Sequence, residues 1–309
     1  MSPQTIVVVE PILKSSCTLG EGPLYDPATA TLHFVDIVER KVYHFNTVDS
    51  SVVTNQYEVP ITSIALRQGA PGQLAATTAR GFALLNADGS LQYIAEPLEE
   101  KFAPFTRFND GLCDSKGRYF AGTVYSPEHG IAGKLYKYDP ANQTCTIVDE
   151  GPFTDSNGLG WSVDEKTFYF TDSFVNLIYM YDYDIEGGTL SNRRTVIDAK
   201  QLGYTGFCDG LCIDTEGAIW SARWGDSRIC RFIPNSGVAD LEIIFPTVLN
   251  VTSCCFGGPN NDQLFVTSSH CGAIGGDPCL QTEYPDSGHL FKVDLAGKYK
   301  GRERYPFAG

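Results

Sequence analysis

Short alternating runs of apolar and polar residues, separated by turn residues, fill the chain, and this pattern is typical of β-strands. One unit of this kind recurs: a polar residue, a glycine, an apolar pair, a turn, and a second alternating run that ends in small polar residues. Four clear copies and two weaker ones begin at Glu21, Asp110, Asn157 and Asp209 and at Ser63 and Ser253. Their intervals of 42–52 residues match the period of a four-stranded propeller blade.

Further strand-like runs lie between these copies, each in the position of a third blade strand. They cover residues 41–46, 81–86, 133–139, 177–184, 228–233 and 288–294. We find no long amphipathic helix pattern. The sequence therefore predicts an all-β, six-bladed β-propeller with four-stranded blades. A pair of β-sandwiches is the alternative, but six evenly spaced copies favour the ring.

The two chain ends lie outside the six copies. The N-terminal run "TIVVVE" covers residues 5–10, and the C-terminal segment reads "GKYKGRERYPFAG". Because a propeller must close its ring, we expect these two ends to pair as strands of one shared blade. Residues 1–309 would then form a single domain.

Composition narrows the possible functions. The chain has 309 residues, 42% of them hydrophobic, and a formal net charge of −14, which disfavours nucleic acid as a partner. The N-terminus lacks the basic and apolar regions of a signal peptide, and no apolar window reaches the roughly 18 residues of a membrane span. We therefore expect a cytoplasmic protein that needs neither a membrane nor an obligate protein partner.

Ten cysteines are expected to be reduced thiols in that compartment. A zinc–thiolate site among Cys208, Cys212, Cys254, Cys255, Cys271 and Cys279 is the alternative, but no paired C-x-x-C knuckles exist. A local disulfide between Cys271 and Cys279 is a further alternative that a reducing compartment disfavours.

The leading residues of the six copies should converge on the propeller axis, because the inner strand of each blade lines the central channel. This column holds the carboxylates of Glu21, Asp110 and Asp209 and the amide of Asn157. Buried carboxylates are costly without a counter-charge, and a divalent cation with oxygen ligands supplies it. An Asp-Gly or Asn-Gly pair alone indicates only a turn, but recurrence at one register favours the cation site. Arg107 and Asn109 would lie beside it, at the channel mouth.

The segments "LGEGPLYDP…LHFVDI", "RFNDGLCDSKGRYFAGTV", "SNGLGWSVDEKTFYFTDS", "DGLCIDTEGAIWSARW" and "LFVTSS" carry a resemblance over nearly the whole chain. It resembles the senescence marker protein/gluconolactonase/luciferin-regenerating enzyme family of regucalcin-like six-bladed propellers. The resemblance implies that Glu21, Asn157 and Asp209 ligate the metal and that Asp209 also acts as general base and acid. It further implies that Arg107 and Asn109 hold substrate hydroxyls.

Two segments depart from the family pattern. The lid "VYSPEHGIAGK" is short, and the position of the family's substrate-contacting glutamate falls on Pro127, with Glu128 next to it. Glu128 is therefore a candidate substrate contact. The insertion "HCGAIGGDPCLQTEYPDSG", residues 270–288, is rich in turn residues and could cover the same mouth. Both differences affect which substrate we expect more than they affect the expected metal-dependent reaction.

We therefore expect a metal-dependent lactonase that opens a sugar lactone, an aldonolactone, to the aldonic acid. Oxygen ligands suit Ca²⁺ first, with Mg²⁺, Mn²⁺, Zn²⁺ and Fe²⁺ as alternatives. No G-x-S-x-G elbow, P-loop or dinucleotide fingerprint is present. The rival functions are a phosphotriesterase or other esterase on the same metal, and a calcium-binding regulatory propeller without turnover.

Overall fold

The structure is a computed structural model that describes residues 3–86 and 88–309. These residues form six sheets, antiparallel except for one parallel strand pair, and no α-helix. Strand β1 (Gln4–Val7) precedes the first blade. The first blade contains β2 (Gly20–Asp26), β3 (Thr31–Asp36), β4 (Lys41–Asn46) and β5 (Val52–Gln56). The second contains β6 (Ile61–Leu66), β7 (Leu74–Thr78), β8 (Phe82–Leu85) and β9 (Leu91–Ala95).

The remaining blades follow in chain order. The third contains β10 (Phe108–Cys113), β11 (Tyr119–Thr123), β12 (Gly133–Asp139) and β13 (Thr144–Phe153). The fourth contains β14 (Ser156–Trp161), β15 (Thr167–Asp172), β16 (Leu177–Asp184) and β17 (Thr189–Asp198). The fifth contains β18 (Phe207–Ile213), β19 (Ile219–Trp224), β20 (Arg228–Ile233) and β21 (Val238–Ile244). The sixth contains β22 (Asn250–Gly257), β23 (Gln263–Ser269) and β24 (Phe291–Asp294).

Three short 3₁₀ helices complete the described elements: Pro127–His129, Ala273–Gly275 and Pro278–Thr282. The predicted six-bladed propeller is confirmed, and each predicted third strand falls on β4, β8, β12, β16, β20 or β24. That residues 1–309 form one domain stays a prediction. Within the described residues, no helix has the length and apolar character needed to cross a membrane.

The apolar core lies between neighbouring blades. Val35 and Ile37 of the first blade, for example, share one buried cluster with Ile64 and Leu74 of the second. One four-stranded sheet cannot bury both of its faces alone. Radial packing of six sheets buries them against each other, which is why the repeated sequence unit specifies a ring.

The ring does not close as the sequence suggested. β1 pairs in parallel with β21, as a fifth strand of the fifth blade, because Ile6 and Val8 pack against that blade's core. The N-terminal segment then reaches the sixth blade, where Leu13 forms an antiparallel bridge with Leu290 at the outer edge. The predicted pairing of the N- and C-terminal ends in one blade is therefore wrong.

The C-terminal segment instead crosses the face of the propeller where the inner strands end. Gly301 bridges Asp214, and buried Phe307 packs its ring near those of Tyr119 and Tyr138. Arg302 to Tyr305 line a small cavity with residues from the ends of β10, β14 and β18. The segment thus covers one end of the central channel.

Arg304 of this segment supplies a counter-charge to the channel. Its Nη2 donates to the carbonyl oxygen of Cys254 at 3.0 Å. Burial raises the pKa of Asp110, and the attraction of Arg304 opposes that shift. The charge of Arg304 therefore partly offsets that of Asp110, which the sequence pattern had grouped with the cation site.

All ten cysteines are free thiols. The Sγ atoms of Cys212 and Cys254 lie 3.5 Å apart between adjacent blades. Burial raises the pKa of Cys212 well above its usual range, and a neutral thiol is a poor metal ligand. Cys271 is buried and Cys279 is exposed. The buried cysteines therefore act as small core residues, and the zinc and disulfide alternatives gain no support.

Glycine allows the inner strands to approach closely around the axis, which yields a stability prediction. A Cβ at Gly158 would lie 2.2 Å from the backbone nitrogen of Leu211 on the next blade. Gly158→Ala should therefore reduce the free energy of unfolding by about 3 kcal/mol, measured by urea denaturation. Gly160→Ala, on the same strand, is the control, because its Cβ would meet only side-chain atoms, the nearest at 3.1 Å. Equal losses in the two variants would contradict this packing.

The electrostatic attraction between Arg304 and Asp110 is testable by a double-mutant cycle. Arg304→Met should destabilise the wild-type protein more than it destabilises the Asp110→Asn variant. Only in the wild-type background does the substitution leave a partly buried carboxylate without its counter-charge. We expect a coupling free energy on the order of 1 kcal/mol from urea unfolding. Strict additivity of the two substitutions would show that Arg304 does not act on Asp110.

Candidate metal and substrate site

A cavity of about 250 Å³ opens at the other end of the channel, where the inner strands begin. Seven polar side chains line it: Glu21, Arg107, Asn109, Asp155, Asn157, Ser173 and Asp209. They come from the first, third, fourth and fifth blades, either within the inner strand or within one residue of a strand end. Residues as far apart in sequence as Glu21 and Asp209 therefore line one cavity. Of the six leading residues of the repeat, Glu21, Asn157 and Asp209 line it.

A β-bulge aims these side chains at the axis. The pairing of each inner strand with its neighbour shifts at the leading residue, for example between Glu21 and Leu24 and between Cys208 and Leu211. All six inner strands carry such a shift. A bulge adds one residue to a strand and redirects its side chain. The leading residue, which in a regular strand would point to one face of the blade, therefore faces the channel.

Unpartnered oxygen atoms mark the floor of the cavity. Oδ1 of Asp155, Asn157 and Asp209 is buried without a hydrogen-bond partner. The amide of Asn157 donates from Nδ2 to Ser173 Oγ at 3.0 Å, which leaves its carbonyl oxygen for a ligand. Such atoms are rare in folded proteins because each costs free energy. Three of them in one cavity indicate a site for an electropositive ligand.

The local charge balance points the same way. Burial and the neighbouring charge of Asp110 raise the pKa of Glu21 to about 8. Burial and Glu21 raise the pKa of Asp209 well above its usual range, and burial raises that of Asp155 to about 6. Arg107 is the cation that faces these three carboxyl groups. When the three carboxyl groups ionise, the single positive charge of Arg107 does not balance them, and the cavity carries an excess of negative charge.

The residues present fit a divalent cation. Glu21 and Asp209 offer carboxylate oxygens and Asn157 offers a carbonyl oxygen, which is the ligand chemistry of hard cations. Across the described residues, no three His, Cys, Asp or Glu side chains are grouped as in a metal site. A cation here therefore has to draw on Asn157, and on water, for part of its ligand shell.

Arg107 and Asn109 form a connected pair at one side of the cavity. Arg107 Nη1 donates to Asn109 Oδ1 and, at 3.0 Å, to the carbonyl oxygen of Phe108. Asn109 Nδ2 donates to the carbonyl oxygen of Ser156 at 2.8 Å. These bonds fix both side chains while leaving N–H groups of Arg107 free to bind a substrate oxygen.

Glu128 lies away from this cavity. It is exposed on the 3₁₀ helix Pro127–His129 and is not among the cavity-lining residues. Ser126 and Ile131 exchange two backbone hydrogen bonds across this short turn, which keeps the segment compact.

Several lining residues were not found by sequence reasoning. Asp155 stands two residues before Asn157, and this spacing, which matches that of Arg107 and Asn109, could have indicated it. Phe174, Phe207, Trp224 and Ile274 also line the cavity. They come from loops and strand ends of different blades, and no sequence periodicity connects them. Ile274 belongs to the 270–288 insertion, which therefore reaches the mouth.

Comparisons with known proteins agree with this architecture. The family described as "SMP-30/Gluconolactonase/LRE-like region" matches residues 19–270. Regucalcin of Oryctolagus cuniculus is 35% identical over 308 residues, covering 98% of this chain and 99% of the relative.

Two solved structures are similar over the full length. A luciferin-regenerating enzyme superposes with a TM-score of 0.86 and 29% identity, covering 98% of this chain and 99% of the other. Regucalcin from Agrobacterium tumefaciens, described as a calcium-binding protein, gives a TM-score of 0.88 and 25% identity over 100% of both chains. The chain belongs to the SMP-30/gluconolactonase/LRE-like family.

Proposed function

We propose that this protein is a metal-dependent lactonase that hydrolyses a sugar lactone to the aldonic acid. The observation that carries the proposal is the set of unpartnered buried oxygens, Asp209 Oδ1 and Asn157 Oδ1, which share one cavity with Glu21. The family's description includes gluconolactonases, which supports a lactonase among the reactions open to such a site.

Glu21, Asn157 and Asp209 would hold the cation. Ca²⁺ is the first choice because every ligand is an oxygen and because the regucalcin of A. tumefaciens is described as calcium-binding. Mg²⁺, Mn²⁺, Zn²⁺ and Fe²⁺ are the alternatives. When bound, such a cation supplies positive charge that polarises a carbonyl group and stabilises a developing oxyanion.

Asp209 is the general base and acid of the proposed reaction. Its carboxylate accepts a proton from the attacking water as the water oxygen bonds to the lactone carbonyl carbon. The bond from that carbon to the ring oxygen then breaks, and Asp209 returns the proton to the ring oxygen. One carboxyl group thus serves both steps, and the product leaves as a hydroxy acid.

Arg107 and Asn109 orient the substrate. The guanidinium N–H groups of Arg107 that are not used by Phe108 and Asn109 donate to substrate hydroxyls, while the hydrogen bond of Asn109 to Ser156 fixes the direction of the pair. Correct placement of the carbonyl group against Asp209 contributes to the rate by reducing the entropy lost on reaching the transition state. Glu128 has no part in this proposal, because it is exposed and does not line the cavity.

A second candidate is a calcium-binding propeller without turnover, favoured by the description of the A. tumefaciens regucalcin. A phosphotriesterase or other esterase on the same residues is a third. A panel of aldono-1,4- and aldono-1,5-lactones, aryl esters and phosphotriesters, assayed with and without chelator, separates the three.

Asp209→Asn should lower kcat/KM for the best aldonolactone by about 10³-fold, because it removes the proton acceptor while keeping the shape of the side chain. Acid release followed at constant pH is the measurement, and a thermal melt establishes that the variant is folded. Asp49→Asn is the matched control, since Asp49 lies exposed in a surface turn. It should not change the rate. A folded Asp209→Asn protein with near wild-type activity would reject the proposed mechanism.

A further inference from the structure

The cavity has a polar floor and an apolar mouth. Six of its thirteen lining residues are apolar. Glu21, Asn157 and Asp209 are buried on the floor, whereas the residues Phe174, Phe207 and Ile274 are 46%, 37% and 61% exposed at the opening. A ligand whose ester group reaches the floor must therefore leave its other end among apolar side chains.

The exposed rings at the mouth form one continuous surface. The Phe174 ring lies 5.8 Å from that of Phe207 in an edge-to-face arrangement and 5.7 Å from that of Tyr125. Most aromatic side chains of this protein are buried. Large apolar groups that remain exposed together at a cavity usually mark a binding surface.

The insertion adds a third side to this surface. Ile274 has φ 49 and ψ 44, in the left-handed region that a β-branched residue seldom adopts. Such a conformation persists only where the surrounding chain holds it, and it is common at ligand-binding positions. Here Ile274 lines the cavity together with residues of the fourth and fifth blades.

The apolar residues at the mouth of the cavity suit a substrate other than a fully hydroxylated sugar. The hydroxyls of a sugar lactone each require a hydrogen-bond partner, and those that meet Phe174, Phe207 or Ile274 would lose water without replacement. An alkyl group in the same place would instead bury apolar area. The polar partners that remain, such as Arg107, are concentrated near the floor.

We propose that the substrate is a lactone with an apolar substituent of several carbons on the carbon that bears the ring oxygen. This inference rests on the proposed lactonase function and replaces its sugar lactone by a lactone with an apolar substituent, so the comparison with glucono-1,5-lactone below decides between the two substrates. The lactone carbonyl lies at the floor near Asp209, and the alkyl substituent lies against Phe174, Phe207 and Ile274. Glucono-1,5-lactone carries a hydroxymethyl group at that carbon and is the polar comparison.

The test compares kcat/KM for δ-decalactone, unsubstituted δ-valerolactone and glucono-1,5-lactone. The wild-type protein should prefer δ-decalactone over both by about 10-fold or more, in the range expected for an added apolar group in an apolar site. Phe174→Ser and Phe207→Ser should each lower kcat/KM for δ-decalactone by about 10-fold, mainly through KM, and affect δ-valerolactone much less. Phe105→Ser is the matched control, since Phe105 is exposed but does not line the cavity.

Binding without turnover is measured separately. The non-hydrolysed lactam 6-pentylpiperidin-2-one should bind more tightly than piperidin-2-one by calorimetry, and the two phenylalanine substitutions should reduce that difference. Equal kcat/KM for δ-decalactone and δ-valerolactone, with Phe174→Ser and Phe207→Ser without effect, overturns the inference while leaving the lactonase proposal intact. If the protein hydrolyses no lactone but still binds the pentyl-substituted lactam more tightly than piperidin-2-one, the proposed reaction is overturned and the apolar subsite remains.

Discussion

Negative charge buried at one end of a closed channel is the constraint on which the rest of this structure depends. Glu21, Asp155 and Asp209 share a cavity in which Arg107 is the facing cation. Burial raises the pKa of all three carboxyl groups, which is the signature of charge that lacks sufficient compensation. The neighbouring carboxyl group of Asp110 does not line this cavity, and the charge of Arg304 in the C-terminal segment attracts it. The excess of carboxyl groups over the single cation Arg107 in the cavity explains why this site calls for an added cation.

The propeller maintains this arrangement because its repeats are rigid and its side chains are redirected locally. Each inner strand has a bulge at the leading residue, and a glycine such as Gly158 or Gly210 allows the neighbouring strand to pack within contact distance. The same unit therefore provides both the blade and one inward-facing polar group. Substituting the side chain of the leading residue changes the site, while the glycine that allows close strand packing is a separate position.

The sequence predicted what depends on local repetition and missed what depends on packing between distant segments. Blade number, the third strands and the convergence of Glu21, Asn157 and Asp209 followed from a period and a shared register. The position of β1 depends on the contact of Ile6 and Val8 with the fifth-blade core, and the path of the C-terminus depends on the burial of Phe307. The repeated sequence unit contains no pattern that predicts either of these two features. The apolar mouth was missed for the same reason, because its members lie in unrelated loops.

Diffraction from crystals grown with Ca²⁺, recorded at a wavelength where calcium scatters anomalously, tests the central claim most directly. The account predicts one strong anomalous peak at roughly 2.4 Å from oxygen atoms of Glu21, Asn157 and Asp209, and its loss in Glu21→Gln crystals. A cavity that contains only water at saturating Ca²⁺, or calcium bound solely elsewhere on the protein, would contradict the claim that these oxygens converge to bind a cation.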